Sequence, residues 1–464
     1  MTSPNYISYK DSVARVVQKD GLYYRFILND YKTEYDHLMQ SGLYEKLHAK
    51  GLLISHSEIE NEADAFTLSP AAQLKLYKIL KPEQIAFQGY PFEWSYTQWN
   101  KAIIAYLQIN QIALSYGMIL KDATPYNFYM TEGRAVLLDT SSFEFFKEGA
   151  KWNAYMQFCS EFLSPLSLMH YNGQRWSRIT RSHLRGLPLN FVSRQLPLKS
   201  WFNVNTLLHI HLHAKFAHKN GVSPSKNSNG FSLEKLKSLM GMMLSNIQNW
   251  KSAYQFEKHW STYYKNDIES EYYLKHKQQF INKWLTQLKP ASVLDVGANT
   301  GKFSFIAANY SNKVIALESD DLCVDEIEKQ IQQKGLNNVY AIVMDLVDTT
   351  SNLGALNKEL SSIYTRTNSI MVMALALVHH LHISNQLSFA QIAEMFSLFS
   401  SKYLIVEFIP ITDNKVQLLI QDKKMDLRDY REEHFTKALS NWFNVKEKYV
   451  LGDSQRKLFL LEKK

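Results

Sequence analysis

The sequence predicts two architectures in one chain, an α+β front region and a doubly wound α/β domain behind it. The length is the first observation, because 464 residues allow two or three domains that each bury a core. The second is that, from Ala291 onward, short apolar β-rich runs alternate with helical stretches, which is typical of a parallel sheet covered on both faces. The residues before Ala291 lack that alternation and predict a different fold.

Composition excludes several classes of protein. The chain is 45% hydrophobic and 21% charged, which excludes collagen and a wholly disordered chain. Its two cysteines, Cys159 and Cys323, exclude a secreted disulfide scaffold. The first residues show no basic-then-apolar leader, and the longest apolar run is too short to span a bilayer. We therefore expect a cytoplasmic protein without a membrane span.

The positive charge is concentrated in one segment. The net charge of the chain is +8, but residues 151–235 alone hold 11 Lys and Arg against 2 Asp and Glu. Such a segment indicates either an anionic partner or a solvated surface, and the sequence leaves both open.

The front region begins with a predicted β-hairpin, in which two apolar runs flank Lys19-Asp20-Gly21. A helix is predicted over Trp99–Tyr116, and two short β-runs flank Glu132-Gly133. Lys219–Ser232 is rich in Ser, Asn and Gly and predicts a linker or a long loop. We expect three parts, a front domain over 1–235, a helical connector over 236–289 and an α/β domain over 290–464.

The strongest chemical motif is the run VLDVGANTGKFS, Val293–Ser304. Gly297 and Gly301, on either side of Asn299, allow the backbone to approach a ligand closely. Asp295 is placed at a strand end to meet an ammonium group. Glu318, at the end of the next strand, is placed to accept from ribose hydroxyls, and Asp345, at the end of the third, to meet an adenine amino group.

These acidic residues favour a ligand with an amino-acid end and no phosphate over a dinucleotide. A dinucleotide turn requires three glycines, and an acidic residue before the turn would repel a pyrophosphate.

The motif and its acidic partners resemble class I S-adenosylmethionine-dependent methyltransferases. The resemblance covers about 290–464 and implies a Rossmann-like, seven-stranded sheet whose last strand is antiparallel. It implies S-adenosylmethionine as cofactor, bound by Asp295, Gly297, Asn299, Gly301, Glu318 and Asp345. The alternative is the same fold without a cofactor.

Methyl transfer by in-line displacement needs orientation of the reactants and, for a hydroxyl acceptor, a general base. His379, His380 and Glu407 lie near predicted strand ends and are the candidates. The alternative is that the two histidines pack or cap the following helix and that Glu407 is an exposed loop acid.

A second constellation lies in the front region, where Asp122 is followed by Asn127 and then by Asp139 at a predicted strand end. Phosphotransferases need one carboxylate near the attacking hydroxyl, and an Asn and an Asp on magnesium. The segment resembles the protein-kinase and aminoglycoside-kinase superfamily. No glycine-rich phosphate loop accompanies it, and Arg25 and Glu34 are poor substitutes for the lysine–glutamate pair. We expect a kinase-like domain that is non-catalytic, with Mg-ATP as a ligand only if it is active.

The two halves together resemble a bacterial family of methyltransferases similar to nodulation proteins. The expected function is methyl transfer to a small molecule or a glycan hydroxyl, possibly anionic, with the kinase-like domain positioning that acceptor. The alternatives are a bifunctional kinase–methyltransferase and a non-enzymatic binding module.

Two weaker patterns remain. His209, His211 and His213 would share one face of a strand as zinc ligands do, but no Cys or acidic cluster accompanies them, so no metal is expected. Four arginines spaced by three or four residues would form one basic face on a helix: Arg175, Arg178, Arg181 and Arg185. No nucleic-acid motif supports them, so nucleic acid is an unlikely partner.

Overall fold

The chain forms two compact units. The computed structural model describes residues 5–6, 11–59, 66, 75–215, 230–251, 271–421 and 428–464. The front unit comprises Met1–Met130 and Arg134–Gln255, and the back unit Thr131–Gly133 and Phe256–Lys464. The expected connector over 236–289 is therefore divided between the units. The expected linker Lys219–Ser232 lies outside the described residues except for its last three.

The front unit opens with a five-stranded antiparallel sheet in the order β1-β2-β3-β5-β4. Asp20 and Gly21 take φ of 50° and 78° in the turn between β2 and β3, which confirms the predicted hairpin. The strands are β1 (Asn5–Tyr6), β2 (Ala14–Lys19), β3 (Leu22–Leu28), β4 (His56–Glu58) and β5 (Leu76–Pro82).

One long helix, Tyr96–Leu114, organises the rest of the front unit. Ser95 and Gln98 cap its start reciprocally, since each side chain accepts the other residue's backbone N–H. Its apolar residues lie in the main core of the unit, and the last helix packs against it. The helices are α1 (Lys32–Gln40), α2 (Leu43–Ala49), α3 (Tyr96–Leu114), α4 (Ser164–Asn172), α5 (Leu189–Gln195) and α6 (Leu233–Gln248).

Short strands and irregular helices complete the front unit. Strand β6 (Met118–Leu120) pairs with β9 (Phe143–Phe145), and β7 (Phe128–Thr131) with β8 (Arg134–Leu137). The arginine-rich segment forms a 3₁₀-helix over Gln174–Ser182, not an α-helix. Residues three apart eclipse one another in that geometry, so Arg175, Arg178 and Arg181 form one row, and Arg185 lies beyond the helix end.

The back unit is built on a seven-stranded sheet in the order β12-β11-β10-β13-β14-β16-β15. The first five strands in this order are parallel, and the last strand of the chain runs antiparallel to both its neighbours. The predicted α/β architecture is therefore confirmed. The strands are β10 (Ser292–Val296), β11 (Lys313–Glu318), β12 (Val339–Val343), β13 (Ser369–Ala374), β14 (Ser400–Phe408), β15 (Phe443–Val450) and β16 (Lys457–Lys463).

Helices connect these strands, and a helix precedes the first of them. The bounds are α7 (Glu271–Leu288), α8 (Lys302–Ala308), α9 (Asp321–Lys334), α10 (Ile363–Thr367), α11 (Phe389–Phe399), α12 (Asn414–Ile420) and α13 (Glu432–Leu439). Helix α7 buries one stripe, Tyr273, Lys277, Ile281, Trp284 and Leu285, and this stripe includes a lysine.

Candidate active site

A cavity of ≈ 300 Å³ lies at the carboxyl ends of the parallel strands of the back unit. Ligands bind at this edge in open α/β sheets because the strand-to-helix loops converge there. The lining residues are Lys277, Gly297, Asn299, Leu317, Glu318, Ser319, Met344, Asp345, Leu346, Leu375, Ala376, Leu377, His380, Leu381, Ser384, Asn385 and Leu419. Five of the predicted site residues are therefore in its wall: Gly297, Asn299, Glu318, Asp345 and His380.

The glycine turn after β10 leaves no room for larger side chains. Gly297 has a φ of 73°, and a Cβ there would lie 3.2 Å from Leu377 across the cavity wall. Gly301 has a φ of 80° and caps α8, where a Cβ would lie 2.9 Å from Phe305. Gly301 is not among the lining residues, so it shapes the turn from behind.

Glu318 closes one side of the cavity, and both oxygens of its carboxylate accept backbone N–H groups. One oxygen accepts from the backbone N–H of Asn299 at 2.7 Å, and the other from those of Ser319 and Asp320 at 2.7 and 3.0 Å. The side chain is 7% exposed, and burial raises its pKa while the N–H donors oppose that shift. Glu318 therefore fixes the turn as well as lining the cavity.

Glu407 lies in a different environment from the one that the sequence suggests. It is fully buried, and one oxygen accepts from Lys277 Nζ at 2.6 Å and from the backbone N–H of Ala376 at 2.9 Å. The other accepts from the Tyr273 hydroxyl at 2.5 Å. It is not among the residues that line the cavity, so neither a general base nor an exposed loop acid describes it.

The two buried carboxylates share one structural task. Asn299 and Ala376 both line the cavity with left-handed φ, 50° and 51°, which is costly for residues other than glycine. Each of these residues donates its backbone N–H to a carboxylate, Asn299 to Glu318 and Ala376 to Glu407. Two buried carboxylates therefore hold these two wall residues in a strained backbone conformation.

Asp295 does not reach the cavity. It is 2% exposed and accepts from the Ser304 hydroxyl at 2.6 Å. Burial raises its pKa to about 6, against the opposing effects of Ser304 and Lys277. Asp295 is not among the residues that line the cavity, and its hydrogen bond supports the start of α8.

Asp345 follows β12 and lies in the wall between Met344 and Leu346. Its carboxylate accepts from the backbone N–H of Val347 at 3.1 Å, which fixes the loop. An acidic side chain between apolar neighbours suits a flat heterocycle that carries an amino group.

Of the two candidate histidines, one lines the cavity and the other is buried. His380 begins a π-helical turn, His380–Ser384, and lines the cavity. His379 is 1% exposed and absent from the lining, and its ring lies 4.0 Å from that of His380. Burial holds its pKa well below the usual value, so His379 is a poor proton acceptor. This corrects the grouping of His379 with His380 and corresponds to the packing alternative.

Lys277 lines the cavity and Tyr273 supports it, and the sequence interpretation missed both. Among the described residues that line the cavity, Lys277 is the one Lys or Arg. It donates to Glu407 and, at 3.2 Å, to the Tyr273 hydroxyl. The available signal was its position, since a lysine on the buried stripe of an amphipathic helix requires a buried partner.

In the front-unit constellation, Asp139 contacts an arginine. Arg25, on β3, donates to Asp139 at 2.5 Å, and the same carboxylate accepts from the backbone N–H and the hydroxyl of Ser141. Asn127 is adjacent, because its carbonyl accepts the backbone N–H of Leu138 at 2.7 Å. Asp122 is exposed and accepts from Gln157 at 2.7 Å.

The three alternating histidines are dispersed on a π-helical segment, Leu207–Leu212, and the residue after it. His209 bonds the Tyr155 hydroxyl, while His211 bonds Ser193 and Ser200. Across the part of the chain that the structure describes, no group of three or more His, Cys, Asp or Glu is arranged to hold a metal ion. In the same ranges, no helix has the length and apolar character needed to cross a membrane.

The antiparallel last strand, the glycine turn and the acidic cavity wall agree with the resemblance of the sequence to class I S-adenosylmethionine-dependent methyltransferases.

No known family model matches the chain. The nodulation protein NoeA of Rhizobium meliloti (strain 1021) is 28% identical over 422 residues, which is 89% of this chain and 87% of NoeA. The similarity therefore extends over both units.

The solved structures that are similar to part of the chain include two methyltransferases. The N-methyltransferase NodS from Bradyrhizobium japonicum WM9, bound to S-adenosyl-L-homocysteine, is 8% identical, with a TM-score of 0.33, 42% of this chain covered and 90% of NodS. Magnesium protoporphyrin IX methyltransferase from Synechocystis PCC 6803 is 17% identical, with a TM-score of 0.30, 43% of this chain covered and 86% of that chain. TM-scores of this size do not assign a fold, which rests here on the strand order and the cavity.

Proposed function

We propose that the chain transfers a methyl group from S-adenosylmethionine to a hydroxyl of a small molecule or glycan, in the cavity of the back unit. The observation that carries this proposal is the convergence of Gly297, Glu318 and Asp345 at the carboxyl ends of adjacent strands. A nucleoside with an amino-acid tail matches that arrangement of a close-approach glycine and two acids.

The residues of the wall fit the cofactor in four places. Glu318 would hold the ribose, Asp345 with Met344 and Leu346 would hold the adenine, and Gly297 leaves space for the chain between them. Lys277 would hold the carboxylate of the amino-acid end, because its ammonium has a third donor beyond Glu407 and Tyr273. The cofactor supplies an activated methyl group, so the protein mainly binds and orients.

His380 is the residue that we propose as general base for a hydroxyl acceptor. It is the histidine in the cavity wall, and an imidazole accepts a proton near neutral pH unless burial prevents it.

For the front unit we propose a kinase-like module that positions the acceptor and transfers no phosphate. Support comes from Arg25, whose guanidinium contacts the carboxylate of Asp139, the position where the resemblance would require magnesium. A fixed cation there competes with a metal ion for the same oxygen. Calorimetry with Mg-ATP should therefore detect no binding, and ATP turnover that depends on Asp122 and Asp139 would contradict this part.

The cofactor proposal is tested by calorimetry with S-adenosyl-L-homocysteine as the probe. We expect the wild-type chain to bind in the micromolar range and Gly297→Arg to lose binding, because its side chain would enter the cavity. Gly335→Arg is the matched control, since Gly335 also has a positive φ, 62°, but open space around it. Absence of binding in the wild type, or unchanged binding in Gly297→Arg, would refute the proposal.

A further inference from the structure

An exposed apolar surface lies in the front unit, outside the site described above. Large side chains between 198 and 208, all in described residues, face solvent. Leu198 is 83% and Phe202 90% exposed, and Trp201, Val204 and Leu208 are also exposed. Single exposed apolar residues are ordinary, but five within eleven consecutive positions form a patch that marks an interaction site. We call these five residues the apolar surface.

The apolar surface is held in place from beneath. Its first part is a short 3₁₀-helix, Leu198–Phe202. The ring of Trp201 stacks on that of His211 at 4.2 Å, and His211 is 1% exposed with both ring nitrogens bonded to serine hydroxyls. Asn203 accepts two backbone N–H groups of the next turn. The exposed side chains therefore project from an ordered base, as in a preformed binding surface.

The sequence around the apolar surface is positively charged. Residues 162–233 contain no Asp or Glu and nine Lys or Arg, which accounts for the charge excess of the whole chain. Arg194 and Lys199, which flank Leu198, are both exposed. Exposed aromatic and aliphatic side chains among cations, without any acid, are typical of surfaces that dock on anionic lipid.

We infer that this surface docks the protein on an anionic membrane, with Leu198, Trp201 and Phe202 entering the interface and Arg194 and Lys199 meeting lipid phosphates. Trp and Phe suit the boundary between headgroups and acyl chains. A second copy of the chain fits less well, because a two-fold contact through this surface would bring the cations of the two copies close together.

The experiment is cosedimentation of the full chain with vesicles of phosphatidylcholine alone or of equal parts phosphatidylcholine and phosphatidylglycerol. We expect binding to the mixed vesicles only, weakened by added salt. Leu198→Ser/Phe202→Ser and Arg194→Glu/Lys199→Glu should each lower the partition coefficient at least about tenfold.

Matched controls distinguish vesicle binding through the apolar surface from general effects of hydrophobicity and charge. Met242→Ser removes an apolar side chain that is 54% exposed on α6, and Lys50→Glu/Lys235→Glu reverses the same charge elsewhere on the front unit. Both controls should bind mixed vesicles as the wild type does. Failure of the wild type to sediment with mixed vesicles, or equal loss in the controls, would overturn the inference. Light scattering that shows a dimer, broken by Leu198→Ser/Phe202→Ser without vesicle binding, would assign the surface to self-association instead.

Discussion

Glu407 accepts the backbone N–H of Ala376 at 2.9 Å while it forms a 2.6 Å ion pair with Lys277. The side chains of that pair are 3% and 0% exposed, so neither charge is solvated by water. A buried charge that loses its partner keeps its full desolvation cost. The pair therefore links α7 to the cavity wall, and its removal should be felt in both stability and cofactor binding.

We expect Lys277→Met to lower the free energy of unfolding by about 3–5 kcal/mol, because Glu407 would be left buried and unpaired. Lys283→Met is the matched control on the same helix, since Lys283 pairs with Glu447 at 40% and 30% exposure. That exposed pair should contribute little to stability, because solvent screens it. Urea unfolding of both variants measures the difference.

The double variant Lys277→Met/Glu407→Gln separates folding from binding. Without either charge, it should recover most of the stability lost in Lys277→Met. It should still bind S-adenosyl-L-homocysteine more weakly than the wild type, by about tenfold or more, because a charged hydrogen bond to the carboxylate is absent. Binding of 5′-methylthioadenosine, which lacks that carboxylate, should change much less. An equal loss for both ligands would contradict the proposed role of Lys277.

The close packing around the glycine turn leads to a prediction about stability. Gly301→Ala places a Cβ 2.9 Å from Phe305 and 3.0 Å from Ile327, whereas Gly335→Ala meets nothing within 4 Å. Both glycines have positive φ, so both variants carry the cost of that conformation. The additional loss in Gly301→Ala, about 1–3 kcal/mol in urea unfolding, measures the clash alone. Equal losses would show that the turn relaxes.

In the front unit, Asp139→Asn should lower the stability by about 1–2 kcal/mol, since the carboxylate holds both Arg25 and Ser141. Asp122→Asn is the control because Asp122 is exposed and makes one side-chain hydrogen bond, to Gln157. It should change stability by less than about 0.5 kcal/mol. A larger effect of Asp122→Asn on urea unfolding would contradict this assignment.

The sequence predicted what depends on local pattern. The apolar runs of β10 to β14 and the turn glycines follow from periodicity and backbone freedom, and both are found. The orientations of the side chains at the candidate site could not be predicted from local pattern. Glu407 meets Lys277 across 130 residues of sequence, and no local spacing encodes that contact. Asp295 is next to last in β10 and Glu318 is last in β11, yet only tertiary packing decides that the first bonds Ser304 and the second lines the cavity.

The environment of Glu161 also depends on tertiary packing, and no sequence pattern indicated it. It leads to a prediction about the pH dependence of stability. Burial, and then the charge of Asp122, raise its pKa to about 8, and one carboxylate oxygen is buried without a hydrogen-bond partner in the described structure. The folded state therefore retains a proton that the unfolded chain releases near its ordinary pKa of 4.5. Stability from this group is present at low pH and is lost as the pH rises to the folded pKa.

Glu161→Gln should be more stable than the wild type by about 2–4 kcal/mol near pH 8 and nearly equal to it near pH 4. Glu45→Gln, at an exposed position on α2, should leave the pH profile of urea unfolding unchanged. Parallel profiles for the wild type and Glu161→Gln would show that the carboxyl is ionised in the folded state.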